Sequence, residues 1–373
     1  MNKVIVIGPD HQNTLGVIRA IAKGKMMVDL IVFGEEPKHC RCRKSKCLNG
    51  QYTYCRADEK EIVEAILRIA GDEKEIPIIP TSDFAEYCID KNLNILSRKC
   101  KVPSIKDNQG AIYQLMDKYA QKQFADQHGL PMAKSVVLST AIRGTALQDG
   151  WKYPVILKPI ISAEGKKEDI VIVNNSQSLT DSINKYKNNG YRSVLMQEFI
   201  HKDYEICVFG CITQNSRDIF CGALKKIRYS PVGDGASLSF AEFIPVSEEI
   251  LGYVRVLKDI GYDGLFDIEL FAVGNDLYLN EINFRNSGNT WSIVKNGINA
   301  PYIWVQDAIG EKIHSTEKTI QEKLYFMNET ADFKNVLLGK IDVLSWVRDL
   351  TRTSAFNKFW LHDIRGSIAW YKK

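Results

Sequence analysis

Long apolar runs are missing from this chain. No stretch approaches the ~18 consecutive apolar residues that a membrane-crossing helix requires, so no membrane span is expected. At the N-terminus, Met1-Asn2-Lys3 leads into only four apolar residues before Gly8-Pro9-Asp10, too few for the core of a secretory signal. A charge excess of one sign is also lacking. Lys+Arg 49 against Asp+Glu 45 leaves a net +4, short of what a dedicated nucleic-acid binder carries, and no nucleic-acid partner is expected. Nine cysteines, an odd number in a large chain, show no CxxC pairing; this usage argues for reduced thiols in a cytoplasmic protein rather than a disulfide framework. Internal repeats and low-complexity segments are absent as well.

What is present is a chain of 373 residues, 45% hydrophobic and 25% charged, long enough for two or three globular domains or lobes. Over the first hundred residues strand and helix alternate. Val4 to Ile7 is a buried-type strand, and helical spacing from Leu15 to Ala22 follows with Asn13 or Thr14 as its cap. Val28 to Phe33 and Ile76 to Ile79 are further strands, Glu59 to Ala70 a helix, and Asp83 with Glu86 stands at capping-box spacing. Such alternation predicts an open parallel α/β sheet. Its first loop carries no GxGxxG, so dinucleotide binding is not assigned. Between the second strand and the helix lie His39, Cys40, Cys42, Cys47 and Cys55 among five basic residues; unliganded thiols in a surface loop are preferred to a zinc site.

Further on, a polar helix runs from Gln109 to His128 and stops at Gly129-Leu130-Pro131. It contains Asp117-Lys118. Strands follow at Ser135 to Leu138 and Tyr153 to Pro159, the latter ending in Lys158 just before proline. A lysine there needs an anionic partner, which a nucleotide phosphate supplies, or else it snorkels to solvent. Val194 to Ile200 and Ile206 to Cys211 are strands on either side of His201-Lys202-Asp203. Ile219 to Ile227 leads through Lys226 and Arg228 into a Gly-rich loop that suits an anion, the assignment falling on one or other of the two cations.

The densest chemistry lies between Gly264 and Thr290. Two apolar-rich runs flank Gly274-Asn275-Asp276, a hairpin-loop composition. With all three residues in the loop, Asp267 falls opposite Asn283 and Glu269 opposite Glu281, all four on one face. The other face is apolar apart from Asn280. Carboxylates directly across a ladder repel, so a cation between them is implied, and hard oxygen donors favour Mg2+, with Mn2+ as an alternative. Arg285 and then Gly288 follow, a cation and a small residue in a polar turn where an anion can be held.

Glu281-Ile282-Asn283-Phe284-Arg285 with Glu269 upstream resembles the metal-binding end of the ATP-grasp fold, in the branch of carbamoyl-phosphate synthase-like and carboxylate–amine ligases. The resemblance implies an N-terminal open parallel sheet (pre-ATP-grasp) at 1–106, a small lobe at 107–195, a large lobe with antiparallel strands at 196–312, and a C-terminal extension at 313–373. It implies ATP held by Lys118 and Lys158, with adenine at the backbone of Glu198, Phe199 and Ile200 and the ribose on Asp203. Lys226 then attends the phosphates, while Glu269, Glu281 and Asn283 hold Mg2+. Arg285, Gly288 and Arg228 are the implied catalytic group. The expected reaction joins a carboxylic acid to an amine through an acylphosphate. Phosphorylation of bicarbonate and a decayed ATP-binding module are the alternatives. Where the family carries a glycine-rich flap, this chain has Ser162 to Asp169 with one glycine; either Lys166 or Lys167 contacts phosphate directly, or the flap closes poorly.

From Lys340 onward seven Lys/Arg stand against three Asp among six aromatics. Such a tail can touch a membrane surface or a partner, but packing of its aromatics on the parent domain is the preferred reading. More weakly, the tail resembles extensions of ligases such as D-aspartate ligase, which implies an amino acid or cell-envelope precursor as substrate. An oligomer is compatible with all of this.

Overall fold

The computed structural model describes all residues except 1, 35–38, 142–146, 148–149, 161–168, 232–236, 316–317 and 372–373. In chain order the elements begin with β1 (Lys3–Gly8), α1 (Gln12–Lys23), β2 (Met27–Phe33), β3 (Tyr52–Cys55), α2 (Glu59–Ala70), β4 (Ile76–Pro80), α3 (Asp83–Lys91), α4 (Leu93–Leu96), β5 (Cys100–Lys101) and β6 (Ser104–Ile105). Next come α5 (Ala111–Leu115), α6 (Lys118–Gln127), β7 (Ser135–Ser139), β8 (Val155–Lys158), β9 (Val171–Val173), α7 (Ser176–Asn188) and β10 (Ser193–Glu198). After these are β11 (Tyr204–Ile212), β12 (Ile219–Tyr229), β13 (Leu238–Ile244), α8 (Glu248–Asp259), β14 (Tyr262–Val273), β15 (Asp276–Asn283), α9 (Thr290–Lys295) and α10 (Ala300–Ala308). The chain closes with β16 (Tyr325–Met327), α11 (Glu329–Leu337), α12 (Val343–Arg352), β17 (Ala355–Phe356) and α13 (Ile364–Ile368).

Two compact units result, one formed by Met1–Tyr113, Ile206–Ile268 and Asn283–Lys373, the other by Gln114–Glu205 and Glu269–Ile282. This division differs from the four segments read along the sequence. The N-terminal sheet, most of the large sheet and the C-terminal segment share one core. In the first unit β1 to β5 form a five-stranded parallel sheet in the order β3-β2-β1-β4-β5. Its β1, β2 and β4 are buried almost throughout, as largely apolar strands must be when helices cover both faces, and the buried Asp29 of β2 accepts from the Gln51 N–H at 2.6 Å. The large sheet runs β15-β14-β11-β12-β13-β16-β17, with β6 on β14.

Local chemistry departs from the sequence expectation at two helix starts. The cap of α1 is His11, whose ring Nδ1 accepts from the Asn13 N–H at 3.2 Å; Asn13 and Thr14 are instead buried inside the first turn. Ser82 caps α3, and Glu86 is fully buried rather than reaching back as a capping glutamate. Burial pushes the Glu86 carboxyl well above its usual range, reinforced by Asp90, Asp263 and Asp83.

The cysteine segment is not a surface loop of exposed thiols. Cys40, Cys42, Cys47 and Cys55 are all buried, and Asp10 ties the segment down through the Arg41 and Cys42 N–H groups at 3.0 and 2.9 Å. Among the described residues no cluster of His, Cys, Asp or Glu is arranged to hold a metal there.

Packing of the tail onto the parent unit follows the preferred expectation in part. Arg19, fully buried on α1, donates to Asp363, to the Lys358 carbonyl and to Ser367, and Trp360 meets Trp291 edge-on at 4.8 Å. A buried guanidinium satisfied by three acceptors from the tail anchors it strongly. No helix among the described residues is long and apolar enough to cross a membrane.

The second unit has a four-stranded antiparallel sheet in the order β7-β10-β8-β9, with α7 packed on it through Leu179, Ile183 and Tyr186. To it belong α6 and the outer part of the β14–β15 hairpin. The predicted helix 109–128 is broken into α5 and α6 because Asp117 caps α6, accepting from the Tyr119 and Ala120 N–H groups at 2.7 and 2.9 Å.

Candidate active site

The hairpin loop is Gly274-Asn275 alone, with Gly274 at φ +58, while Asp276 already lies in β15. A two-residue loop alone shifts the cross-strand register by one place relative to the three-residue loop expected. Along β15 the buried residues are Leu277 and Leu279, then Ile282, so the period of two gains a residue at Asn280–Glu281. An extra residue of this kind is what a bulge supplies, and it re-aims the side chains that follow. Tyr278, expected on the core face, is only half-buried, and Asn280 donates to Glu269 Oε2 at 3.3 Å.

Within the second unit Gln121 of α6 holds this irregular strand. Its Oε1 accepts from the Ile282 N–H at 2.9 Å, and its Nε2 donates to the carbonyls of Ile282 and Leu115, each at 2.8 Å. One buried amide thus satisfies both backbone groups of the residue following Glu281. Along the chain Gln121 is only a polar residue on a polar helix, because its partner lies 161 positions away.

Lys118 opens α6, and its Nζ lies 3.8 Å from Glu281 Oε1. Lys158 ends β8, buried, and donates to Gln197 Oε1 at 2.9 Å; Gln197 in turn donates to Ser135 Oγ at 3.0 Å. The Lys158 pKa is lowered to about 8, by burial first and then by the neighbouring Lys118 charge, with Glu281 and Glu269 opposing the shift. Two lysines and two glutamates therefore share one field. Like charges held in pairs, with one lysine desolvated, are suited to a polyanion whose charge is bridged by a divalent cation.

The residues implied for adenine and ribose cluster near the end of β10. Glu198 is exposed, and its N–H donates to the Lys134 carbonyl at 2.9 Å. Phe199 and Ile200 are half-buried, Phe199 against the His201 ring at 4.8 Å. Asp203 is tied to the hairpin: its N–H donates to the Ala272 carbonyl and its Oδ2 accepts from the Gly274 N–H, both at 2.8 Å. The glycine-poor flap lies outside the described residues, save Asp169.

In the first unit Arg285 donates to Asp83 Oδ1 at 2.9 Å and to Asp267 Oδ2 at 3.3 Å. The Asn283 amide reaches the Asp267 carbonyl at 3.4 Å. Asn286, fully buried, exchanges amide hydrogen bonds with Asn13, which also donates to the Thr81 carbonyl at 2.9 Å. This lock joins the β1–α1 turn to the loop carrying Arg285 and Gly288. A Cβ on Gly288 would meet nothing within 4 Å, so packing does not require glycine there. His11 is held neutral: burial lowers its pKa to about 4, helped by Arg41, Lys358 and Arg285. Cations thus converge on the β1–α1 turn.

Lys226 is buried on β12, 5.9 Å from the Tyr229 ring centre. Arg228 is not placed for catalysis. Its guanidinium binds Asp332 at 2.7 and 3.0 Å and Asp349 at 2.5 Å and lies over Phe240, so its donors are committed to fastening α11 and α12. The sequence could not reveal this, because both aspartates lie more than a hundred residues downstream.

Comparison with known proteins accords with these features. Residues 123–296 match the family model of the ATP-grasp domain. A formate-dependent phosphoribosylglycinamide formyltransferase of Corynebacterium efficiens is 26% identical over 174 residues, 43% of this chain and 42% of that protein. The match thus spans about two fifths of the relative's length. An N5-carboxyaminoimidazole ribonucleotide synthetase solved with ADP superposes with TM-score 0.66 at 16% identity, over 91% of this chain and 85% of that one. An L-amino acid ligase from Bacillus licheniformis gives TM-score 0.60 at 14% identity, over 83% and 74%. These structural likenesses establish a shared fold.

Proposed function

From the premise that residues 123–296 form an ATP-grasp domain, we propose that the protein is an ATP-dependent carboxylate–amine ligase. The observation that carries the reading is the grouping of Lys118, Lys158, Glu269 and Glu281, a charge pattern complementary to a metal-bound nucleotide polyphosphate. Lys158, desolvated and steadied by Gln197, and Lys118 take the phosphate oxygens. Glu269, Glu281 and, from the continuation of β15, Asn283 supply the oxygen donors that Mg2+ prefers. When bound, Mg2+ neutralises charge on the transferring phosphoryl group. The Gln121 clamp keeps Glu281 in place without taking part in chemistry.

In this reading the substrate carboxylate attacks the γ-phosphorus and ADP leaves, giving an acylphosphate. The amine then attacks the acyl carbon, the C–O bond to the phosphate breaks, and the proton lost by the amine leaves with the departing phosphate. Arg285 is the group that holds the carboxylate or acylphosphate, and backbone N–H groups near Gly288 receive the oxyanion. Glu198, Phe199 and Ile200 line the adenine. Asp203 meets the ribose with whatever accepting capacity its Gly274 contact leaves. The matched relative is named for formate, itself a carboxylate, and its acceptor is named as a glycinamide.

The test is ADP release from Mg-ATP with pooled carboxylic acids and hydroxylamine, which traps an activated acyl group as a hydroxamate. A hydroxamate from one pool, lost in Glu281→Gln with the melting temperature unchanged, is the expected result. ATP binding with no ADP release from any pool, bicarbonate and formate included, refutes it.

A further inference from the structure

The C-terminal helical hairpin presents its apolar side outward. On α12 the apolar residues Val343, Leu344, Trp346, Val347 and Leu350 form one helical stripe, yet the only buried residue of that helix is Asp349. Leu344 is 82% exposed, Leu337 at the end of α11 is 69% exposed, and Leu338 is 61% exposed. A stripe of this kind ordinarily turns inward, so its exposure marks a surface that is covered in use. Continuous with it is a cavity of about 490 Å3, whose lining includes Phe333, Trp346, Leu350, Phe356, Phe359 and Tyr371.

The charges around this face are one-sided. Lys334, Lys340 and Arg348 are exposed, whereas Asp342 is the single exposed carboxylate between residues 329 and 352. Asp332 and Asp349 are buried; Asp332 is engaged by Arg228, and Asp349 by Arg228 together with Arg348 at 3.5 Å and Arg352 at 3.1 Å. An apolar stripe with a basic rim is complementary to an interface that is apolar beneath an anionic layer. A two-fold contact with a second copy would bring two basic rims together.

We propose that the α11–α12 face docks on the surface of an anionic lipid bilayer, with the cavity receiving part of an acyl chain. The arrangement is that of an interfacial helix lying in the plane of the headgroups. Arg228, through Asp332 and Asp349, fastens both helices to the parent unit. The inference rests on this surface and is independent of which carboxylate the protein activates.

Co-sedimentation of the full chain with vesicles tests it, comparing phosphatidylglycerol–phosphatidylcholine with pure phosphatidylcholine. Binding to the anionic vesicles alone, weakened by salt, is expected. Replacing Lys340 or Arg348 by Gln lowers the partition coefficient about fivefold each. Leu344→Gln lowers it roughly tenfold or more, with unchanged melting because the side chain touches little of its own protein. Equal sedimentation with both vesicle types, no sedimentation with either, or undiminished binding by Leu344→Gln overturns the proposal. A concentration-dependent dimer abolished by Leu344→Gln, without vesicle binding, identifies a second copy as the occupant and overturns it as well.

Discussion

With Lys158 at the nucleotide phosphates, as proposed, ATP affinity is expected to depend on pH in a way that follows from the burial of this lysine. Its pKa is lowered from 10.5 to about 8, a displacement worth roughly 3 kcal/mol. The folded pKa lies below the unfolded one, so this group's charged form is penalised in the fold at all pH values below about 8. That penalty fades as pH rises from about 8 towards 10.5, and stability therefore increases across this window. Phosphate oxygens reverse the balance by giving the ammonium a partner, which raises its pKa in the complex. Binding above pH 8 must then draw up to about one proton per ATP, and affinity falls by up to about tenfold per pH unit.

The assay is titration calorimetry with Mg-ATP from pH 7 to 10 in two buffers of different ionisation enthalpy. Buffer-dependent heat should appear above pH 8 and vanish in Lys158→Met, which also binds ATP weakly throughout. Melting alone does not discriminate, because burial also lowers Lys358 to about 8. A flat affinity profile across this range, with no buffer-dependent heat, refutes the reasoning.

Three other substitutions separate positioning, chemistry and anchoring. Gln121→Leu orphans the N–H and C=O of Ile282, each costing about 1–3 kcal/mol, so it should lower unfolding free energy in urea by roughly 2–5 kcal/mol. The same variant should raise the Mg2+ concentration needed for ADP release; unchanged stability and metal dependence contradict the clamp. Arg228→Met leaves buried Asp332 without its cation while Asp349 keeps Arg348 and Arg352, and should cost about 3 kcal/mol in thermal or urea unfolding. ATP affinity should persist in the folded fraction, and loss of nucleotide binding with full stability would restore Arg228 to the site. Glu281→Gln should leave the melting temperature within about 2 °C, a surface-like change, while removing metal-dependent ADP release.

Patterns of two and of helical period were legible in the chain. The alternation through the first hundred residues specified a parallel sheet, since apolar strands bounded by amphipathic helices have few other ways to bury themselves. The hairpin of Glu269 and Glu281 was legible for the same local reason, a turn flanked by apolar-rich runs. Lys158 could be singled out because a lone charge ending an apolar strand needs an explanation within reach.

Tertiary structure decided what depends on distant partners. His11 rather than Asn13 caps α1 because Asn13 is drawn to Asn286, more than two hundred residues on. The cysteine segment is buried because Asp10 binds its backbone, and Arg228 is an anchor because Asp332 and Asp349 come to it. The change in burial period at Asn280–Glu281 accompanies a shorter loop than expected, and Gln121 holds the Ile282 backbone beside it from another element. Composition and period report what each residue prefers; only the fold determines which distant group meets that preference, because that pairing is set by the packing of the whole core.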